Sequence, residues 1–396
     1  MKNLILPAIM ILAASNAAAM GNLKFGNLEI NPFVTTQESY DNNIYLEMDG
    51  KNSSLINRTT LGVGLLHKLG SRVDLNGGYT LELLAYDESP TTNNAVHNLA
   101  NLGVKVRLPK SMTLSAENKY ADTTNQATTQ ETDRAERIQN NATVRLEAPI
   151  RGKFGFALEA GHTYHDYVKV AANDKLDRQE LLAGADLTYQ LMPKTKAMLS
   201  YRYGDLDYRL DTDKGDATYH NVELGMVGNI APKLTGTVKA GAQMRDYATG
   251  PTGADNDITT LGYSAQLIWK AVPKTDIVLY AKRANVETSY LTSRFYTSTL
   301  TDLSFSREVR KVKLTLGAGY EMIEYAEDTN NTTLNRPRED QNITARLAAD
   351  YNIQKWLKAG LSFNHKARLS NDGATGTGVE FGYRDNIVAA SLKAMF

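Results

Sequence analysis

The residues with chemistry to offer are six histidines, 44 lysines and arginines and 44 aspartates and glutamates, with no cysteine among the 396 positions. The one close histidine pair is His162-Thr163-Tyr164-His165. On extended backbone these two side chains point to opposite faces and cannot chelate one metal. The histidines supply no Ser/His/acid or Asp/His set, so the chain is read as a non-enzyme. The run Asp211-Thr212-Asp213-Lys214-Gly215-Asp216 has oxygen ligands of the kind calcium takes. It lacks the trailing bidentate glutamate of an EF-hand loop, and no metal is assigned. Without cysteine, thiol catalysis, zinc-thiolate sites, disulfides and N-terminal lipidation are excluded. Gly62-Val63-Gly64 and Gly317-Ala318-Gly319 open no helix as a phosphate loop would, so no cofactor is expected. Balanced charge gives no reason to expect nucleic acid.

What remains is the placement of the charges, and that depends on the elements carrying them. Alternation with period two runs through segment after segment. In Leu102 to Leu108 the apolar residues are even-numbered, and Lys105 and Arg107 fall on the other face. The same rhythm runs through Leu181 to Leu191, Leu261 to Trp269, Ile343 to Tyr351 and Leu357 to Phe363. One face suits oil and the other water.

Short segments with Pro, Gly or a basic residue punctuate these runs at Lys68, Lys110, Arg151, Lys194, Lys233, Lys274, Arg310-Lys311 and Lys355. They recur about every 40 residues, the mark of a repeated unit. Proline cannot donate to a ladder and belongs at the turns. Between them lie longer stretches of Asp, Asn, Thr and Gly, such as Asp122 to Asp133, Thr249 to Asp257 and Glu327 to Glu339. Tight turns at one end and long polar loops at the other is the asymmetry of outer-membrane barrels, with the tight turns periplasmic.

The N-terminus carries Lys2, an apolar run from Leu4 to Ala14 and Ala17-Ala18-Ala19, which reads as a cleavable secretory signal. The expected organisation is a signal peptide over 1–19 and a single barrel over 20–396. No stretch approaches the roughly 18 apolar residues of a spanning helix, so membrane crossing must use strands. In hydrocarbon every unpaired backbone group is costly, and only a sheet without edges pairs them all. The fold class is therefore all-β: a transmembrane antiparallel up-and-down barrel of about 18 strands, within 16–20 because Asn285 to Phe305 alternates weakly. Phe396, ending an alternating strand, is the expected assembly signal for the insertion machinery. Trp269 and Trp356 fit a girdle near the tight turns, and Tyr86, Tyr120, Tyr167, Tyr208, Tyr247 and Tyr325 one near the loops.

Projected inward, the period-two reading lines the lumen with Arg58, Lys105, Arg107, Arg145, Arg202, Lys239, Arg245, Lys270, Arg346, Lys358, Lys366 and Arg368, together with Lys119, Arg137, Arg178, Lys282 and Lys313. The acidic side chains on that face are Glu29, Asp74, Glu82, Glu117, Glu147, Glu159, Glu180, Asp186, Glu223, Asp276, Glu321 and Asp350. Inward cations exceed inward anions, and rings of Arg and Lys favour anions in pores. The long loops lean acidic, as at Glu47 and Asp49, Asp87 and Glu88, and Asp205 and Asp207.

Asn31-Pro32-Phe33 with Ser39-Tyr40-Asp41-Asn42-Asn43-Ile44-Tyr45, and Leu369-Ser370-Asn371 with Tyr383-Arg384-Asp385-Asn386, resemble the β-barrel porin-2 family. The resemblance implies an outer-membrane barrel of a Gram-negative-type envelope, associated with exopolysaccharide production and export. It assigns no functional residue. The expected function is a porin-like channel passing anionic polysaccharide or other anionic solutes. Its expected partners are outer-membrane lipid and lipopolysaccharide, the barrel-assembly machinery, anionic polysaccharide and its periplasmic export proteins. The alternative is a non-conducting structural or docking barrel that binds envelope or surface partners through its loops.

Overall fold

Each alternating segment forms one strand long enough to cross a bilayer. The computed structural model describes residues 23–48, 51–125, 135–168, 171–210, 215–248, 256–288, 293–325, 337–371 and 381–396. The signal segment 1–19 and the acidic positions Asp49, Asp211 and Asp213 lie outside these. Along the chain run β1 (Leu23–Phe25), β2 (Leu28–Asp41), β3 (Ser54–Leu69), β4 (Val73–Tyr86), β5 (Ala95–Arg107), β6 (Thr113–Thr123), β7 (Arg137–Pro149), β8 (Phe154–Tyr167) and β9 (Arg178–Met192). They are followed by β10 (Thr195–Tyr208), β11 (Ala217–Ala231), β12 (Leu234–Tyr247), β13 (Asp257–Val272), β14 (Thr275–Glu287), β15 (Phe295–Val309), β16 (Val312–Tyr325), β17 (Arg338–Asn352), β18 (Leu357–Ser370) and β19 (Tyr383–Met395).

Every neighbour in sequence from β2 to β19 is an antiparallel neighbour in space, and β19 returns to pair with β2 from Ile387↔Asp41 to Met395↔Phe33. The 18 strands β2 to β19 thus close into a barrel with no free edge. β1 pairs with β2 at Leu23↔Ile30 and Phe25↔Leu28, continuing the line of β19 past its last residue. Pro32, with no N–H, sits at this seam, and its carbonyl accepts from the Phe396 N–H at 2.9 Å. The terminal residue is tied into the sheet.

The outer face is apolar. Leu261 is 73 % exposed, and Leu181, Leu187, Leu224, Leu347 and Leu361 share its orientation. Such exposure is a cost in water and a requirement in lipid. Trp269 lies on this face beside a tight turn, as a girdle residue should.

Two features differ from the sequence expectation. Tyr86, Tyr167, Tyr208, Tyr247 and Tyr325 are the last residues of β4, β8, β10, β12 and β16, and all five are buried inside rather than forming an outer girdle. Their numbering parity explains it: each is in phase with an inward charge of its own strand, Tyr86 with Glu82 and Tyr247 with Arg245. Closeness to a loop says nothing about face. Around them form small apolar clusters: Ile44, Ile56 and Leu84 about Tyr86; Ala135 and Leu176 about Tyr167; Ile323 and Tyr296 about Tyr325. Two of these cores hold residues of the connections inside the mouth, Ile44 with Tyr86 and Ala135 and Leu176 with Tyr167.

The second is the β14–β15 hairpin. The two strands pair with each other out to Glu287↔Phe295, but β13 releases β14 beyond Tyr263↔Arg283 and β16 releases β15 beyond Thr297↔Glu324. Freed on both sides, the hairpin end leans inward past β13. Phe295 stacks on Tyr247 with ring centroids 6.0 Å apart. The Tyr208 hydroxyl donates to Glu287 Oε2 at 3.2 Å, and Arg245 pairs with Glu287. The weak alternation of Asn285 to Phe305 is the trace of a segment that leaves the wall.

Candidate channel lumen

Cross-strand register places Arg58, Lys105, Arg107, Arg145, Arg202, Lys239, Arg245, Lys270, Arg346, Lys358, Lys366 and Arg368 all on the inward face. Paired residues of an antiparallel ladder share a face, so one fixed point orients the whole ring. That point is Asp186 on β9, with a side chain only 1 % exposed. Arg145 on β7 reaches it at 2.6 Å and Arg202 on β10 at 2.7 Å. The same Arg145 donates to Glu159 at 2.8 Å and to Glu147 at 2.9 Å, while Arg202 lies 3.4 Å from Glu159. Five charged groups from four adjacent strands form one network on the wall of a cavity of about 790 Å³, which Lys196 and Lys239 also line. Gly184, beneath Arg202, leaves the space its guanidinium fills.

The remaining arginines are likewise partnered. Arg58 lies 3.9 Å from Glu82, Arg107 pairs with Asp74, and Arg346 holds Asp302 at 2.5 Å. Arg245, itself buried, joins Glu287 and lies over the Tyr219 ring. Arg368 donates to Asn342 at 3.1 Å and covers the Tyr383 ring. Near the loops Arg338 and Asp340 form a fully buried pair at 2.6 Å. Arginine's planar fork suits these fixed, partly desolvated pairs.

The lysines behave differently. Lys239 approaches Glu223 at 3.5 Å. Lys105, Lys270, Lys358 and Lys366, and also Lys313, are exposed to the lumen and form no ion pair among the described residues. Asp74, opposite Lys105 in register, is taken by Arg107 instead. Lys105, Lys270, Lys313 and Lys358 lie near the tight-turn ends of their strands. The lumen therefore sorts its cations: most inward arginines are held to carboxylates on the wall, Arg368 to Asn342, while most of the lysines without an ion pair lie toward the tight turns.

Parity in the sequence left out several inward carboxylates: Asp302, Asp340 and Glu287, which partner Arg346, Arg338 and Arg245, and also Asp385 and Glu308, which lie opposite Lys366 and Lys313 in register. They reduce the inward cationic excess. A signal for Asp302 was present in its parity with Ser304 and Ser306, against outward Leu303 and Phe305. Glu287 had none, because its strand has left the wall there.

Of the six histidines, His162 pairs in register with outward Leu181 and His165 with inward Arg178, so the two do point apart. Asp216 accepts from the Tyr208 N–H at 2.8 Å, and the rest of the calcium-like run from Asp211 to Lys214 lies outside the described residues. No group of three or more His, Asp or Glu gathers as metal ligands among the described residues.

Eighteen strands closed on themselves, an apolar exterior and a charged interior define a barrel of the outer-membrane kind. A family model described as "Putative beta-barrel porin 2" matches residues 18–396. The chain belongs to this family. Porin 2 membership makes it a porin-like outer-membrane barrel. Among solved structures it is similar to OpdQ of Pseudomonas aeruginosa, at 11 % identity and a TM-score of 0.51, covering 94 % of this chain and 100 % of that one. OccAB4 of Acinetobacter baumannii, at 11 % identity and TM-score 0.49, covers 93 % and 98 % of the respective chains. OpdK of Pseudomonas aeruginosa, at 9 % and 0.49, covers 93 % and 99 %. At such identity OpdQ speaks for the barrel fold of this Porin 2 member alone. No curated protein sequence matches it.

Proposed function

We propose that this Porin 2 barrel is a passive outer-membrane channel for anionic solutes, acidic polysaccharide among them, and carries out no catalysis. The observation that carries the reading is the set of exposed inward lysines Lys105, Lys270, Lys358 and Lys366, which form no close ion pair among the described residues, although Lys366 faces Asp385 across the ladder. Paired arginines are locally neutral and shape the wall, whereas an unpaired ammonium inside a low-dielectric tube lowers the entry barrier for an anion. In the same reading residues 1–19 are the export signal, and Phe396 is the mark read by the assembly machinery. Envelope lipid and lipopolysaccharide surround the barrel, and periplasmic export proteins hand it the polymer. Liposome swelling with uncharged glucose oligomers and with galacturonate oligomers of equal size tests the preference. Faster entry of the acidic sugars, lost when the four lysines become glutamine, is the expected result. Equal or slower entry contradicts it.

A second reading has its own support: Ile44, Ala135 and Leu176 packed on the terminal tyrosines, and the inward β14–β15 end, occupy part of the mouth, as in a non-conducting docking barrel. Exchanging the acidic loop residues Asp87 and Glu88 for asparagine and glutamine separates the two. A docking barrel loses an envelope partner, while a channel keeps its swelling rate.

A further inference from the structure

Each of the eight tight turns that join the paired strands from β3 to β18 carries lysine or arginine, and none carries aspartate or glutamate. The cations there are exposed, and among the described residues a single ion pair, Lys274 to Glu308 at 3.3 Å, offsets them. Chance placement on a chain with equal numbers of acids and bases would mix the signs. The long loops at the other end do mix the signs, with carboxylates such as Asp87, Glu88 and Asp177 outnumbering cations such as Lys51, Lys175 and Arg209.

The backbone makes the choice of residue informative. Lys110, Lys233, Lys274 and Arg310 adopt left-handed φ values of 58°, 63°, 60° and 55°. Two other tight turns fill the same conformation with Gly70 at 62° and Gly152 at 61°. A side chain in this region costs about 1 kcal/mol relative to glycine. Four turns thus carry a charged side chain at a position where glycine would be the more stable residue. The turn geometry does not ask for the charge, so some other requirement does.

These rim cations are continuous with the free lumenal lysines Lys105, Lys270, Lys313 and Lys358, which begin a few residues inside the same mouth. Together they form a funnel: a ring of positive charge at the tight-turn rim, then unpaired ammonium groups just within, then the arginine-carboxylate wall. A lipid headgroup would meet cations on the outer flank of the rim and could not use the inward ones. A flexible polyanion arriving along the axis meets both sets in order. We infer that the tight-turn rim is the receiving mouth for a polyanionic chain, carboxylate- or phosphate-bearing, so that the polymer enters from the periplasmic side. This rests on the channel reading above, shares its direction, and adds to it the residues of the receiving mouth.

The test uses the full-length barrel inserted with known orientation in a planar bilayer, with oligogalacturonate added to one side at a time. Block of the ionic current should need at least about tenfold less oligomer on the tight-turn side, in the range electrostatic capture supplies, and the difference should shrink as salt is raised. In the combined variant Lys110→Gly, Lys233→Gly, Lys274→Gly and Arg310→Gly the sidedness should disappear. The barrel should stay folded and heat-modifiable on gels, because each change relieves backbone strain. Equilibrium dialysis of labelled oligogalacturonate against the detergent-solubilised protein reads the same ring without current, and the variant should bind at least about tenfold more weakly. Equal block from both sides, or undiminished binding by the variant, overturns the inference. So does a variant that loses only its adhesion to phosphatidylglycerol vesicles, since lipid is then the partner. A barrel that conducts with anion preference but blocks symmetrically defeats this inference alone; a cation-selective or closed barrel defeats the channel reading beneath it.

Discussion

Arg202 lies over Gly184 on the neighbouring strand, its side chain occupying the volume that a Cβ on the glycine would claim. From that slot it reaches Asp186, the buried hub shared with Arg145. The glycine is therefore part of the electrostatics of the lumen, since its missing side chain sets where the guanidinium can lie.

Gly184→Ala should push Arg202 off the wall and break its contacts with Asp186 and Glu159. Stability should fall by about 1–3 kcal/mol, the usual cost of overpacking. The melting temperature of the refolded barrel in detergent would show it. An unchanged melting temperature would mean the arginine has an equally good alternative seat.

Asp186→Asn should be more damaging, because it removes the buried counter-charge of two guanidinium groups and leaves Glu159 as the one carboxylate they share. Breaking a buried charge cluster in this way costs about 3 kcal/mol. The same substitution should also increase anion preference, as one negative charge leaves the lumen. Denaturant unfolding measures the first effect and ion selectivity the second.

Glu287→Gln should loosen the β14–β15 end. Arg245 and Glu287 are both nearly buried, and Glu287 also takes the Tyr208 hydroxyl bond, so the hairpin's hold on β10 and β12 depends on this carboxylate. The expected outcome in single-channel records is a larger conductance with more frequent fluctuation. Unaltered conductance would show that Phe295 against Tyr247 holds the hairpin alone.

Asp177, in the connection between β8 and β9, predicts a pH effect. Burial, reinforced by the nearby Asp166 carboxylate, pushes its carboxyl up to about 6 although it accepts the Tyr167 N–H at 2.7 Å. A carboxyl whose folded value exceeds its unfolded value of 3.8 favours the protonated folded form. Its stabilisation is complete below the unfolded value and is lost as pH rises through about 6. Amide exchange in this connection should be slower at pH 5 than at pH 8 after correction for intrinsic rates. Asp166→Asn should flatten the difference.

Most of the barrel was legible because each strand repeats one physical message. Leu181, Leu187 and Leu361 face lipid while Asp186, Arg202 and Lys358 face the lumen, and the turns announce themselves through Pro-Lys and Gly. What could not be read is tertiary. In β15 the polarity partly reverses, with inward Leu300 between outward Thr299 and Thr301, so Asp302 was not placed beside Arg346. Nothing in the spacing reveals that Glu287 turns inward to Arg245. The terminal tyrosines carried the right parity but were assigned by their nearness to the loops. Free lysines and paired arginines look alike as letters, and register alone separates them.

The lumenal lysines that form no ion pair set the field seen by a passing ion. The reversal potential of the purified barrel in a planar bilayer under a potassium chloride gradient measures that field directly. A potential displaced toward the chloride equilibrium value, moving back toward zero when Lys105, Lys270, Lys358 and Lys366 are changed to glutamine, is the predicted result. Displacement toward the potassium value, or a barrel that inserts and passes no current, would contradict it.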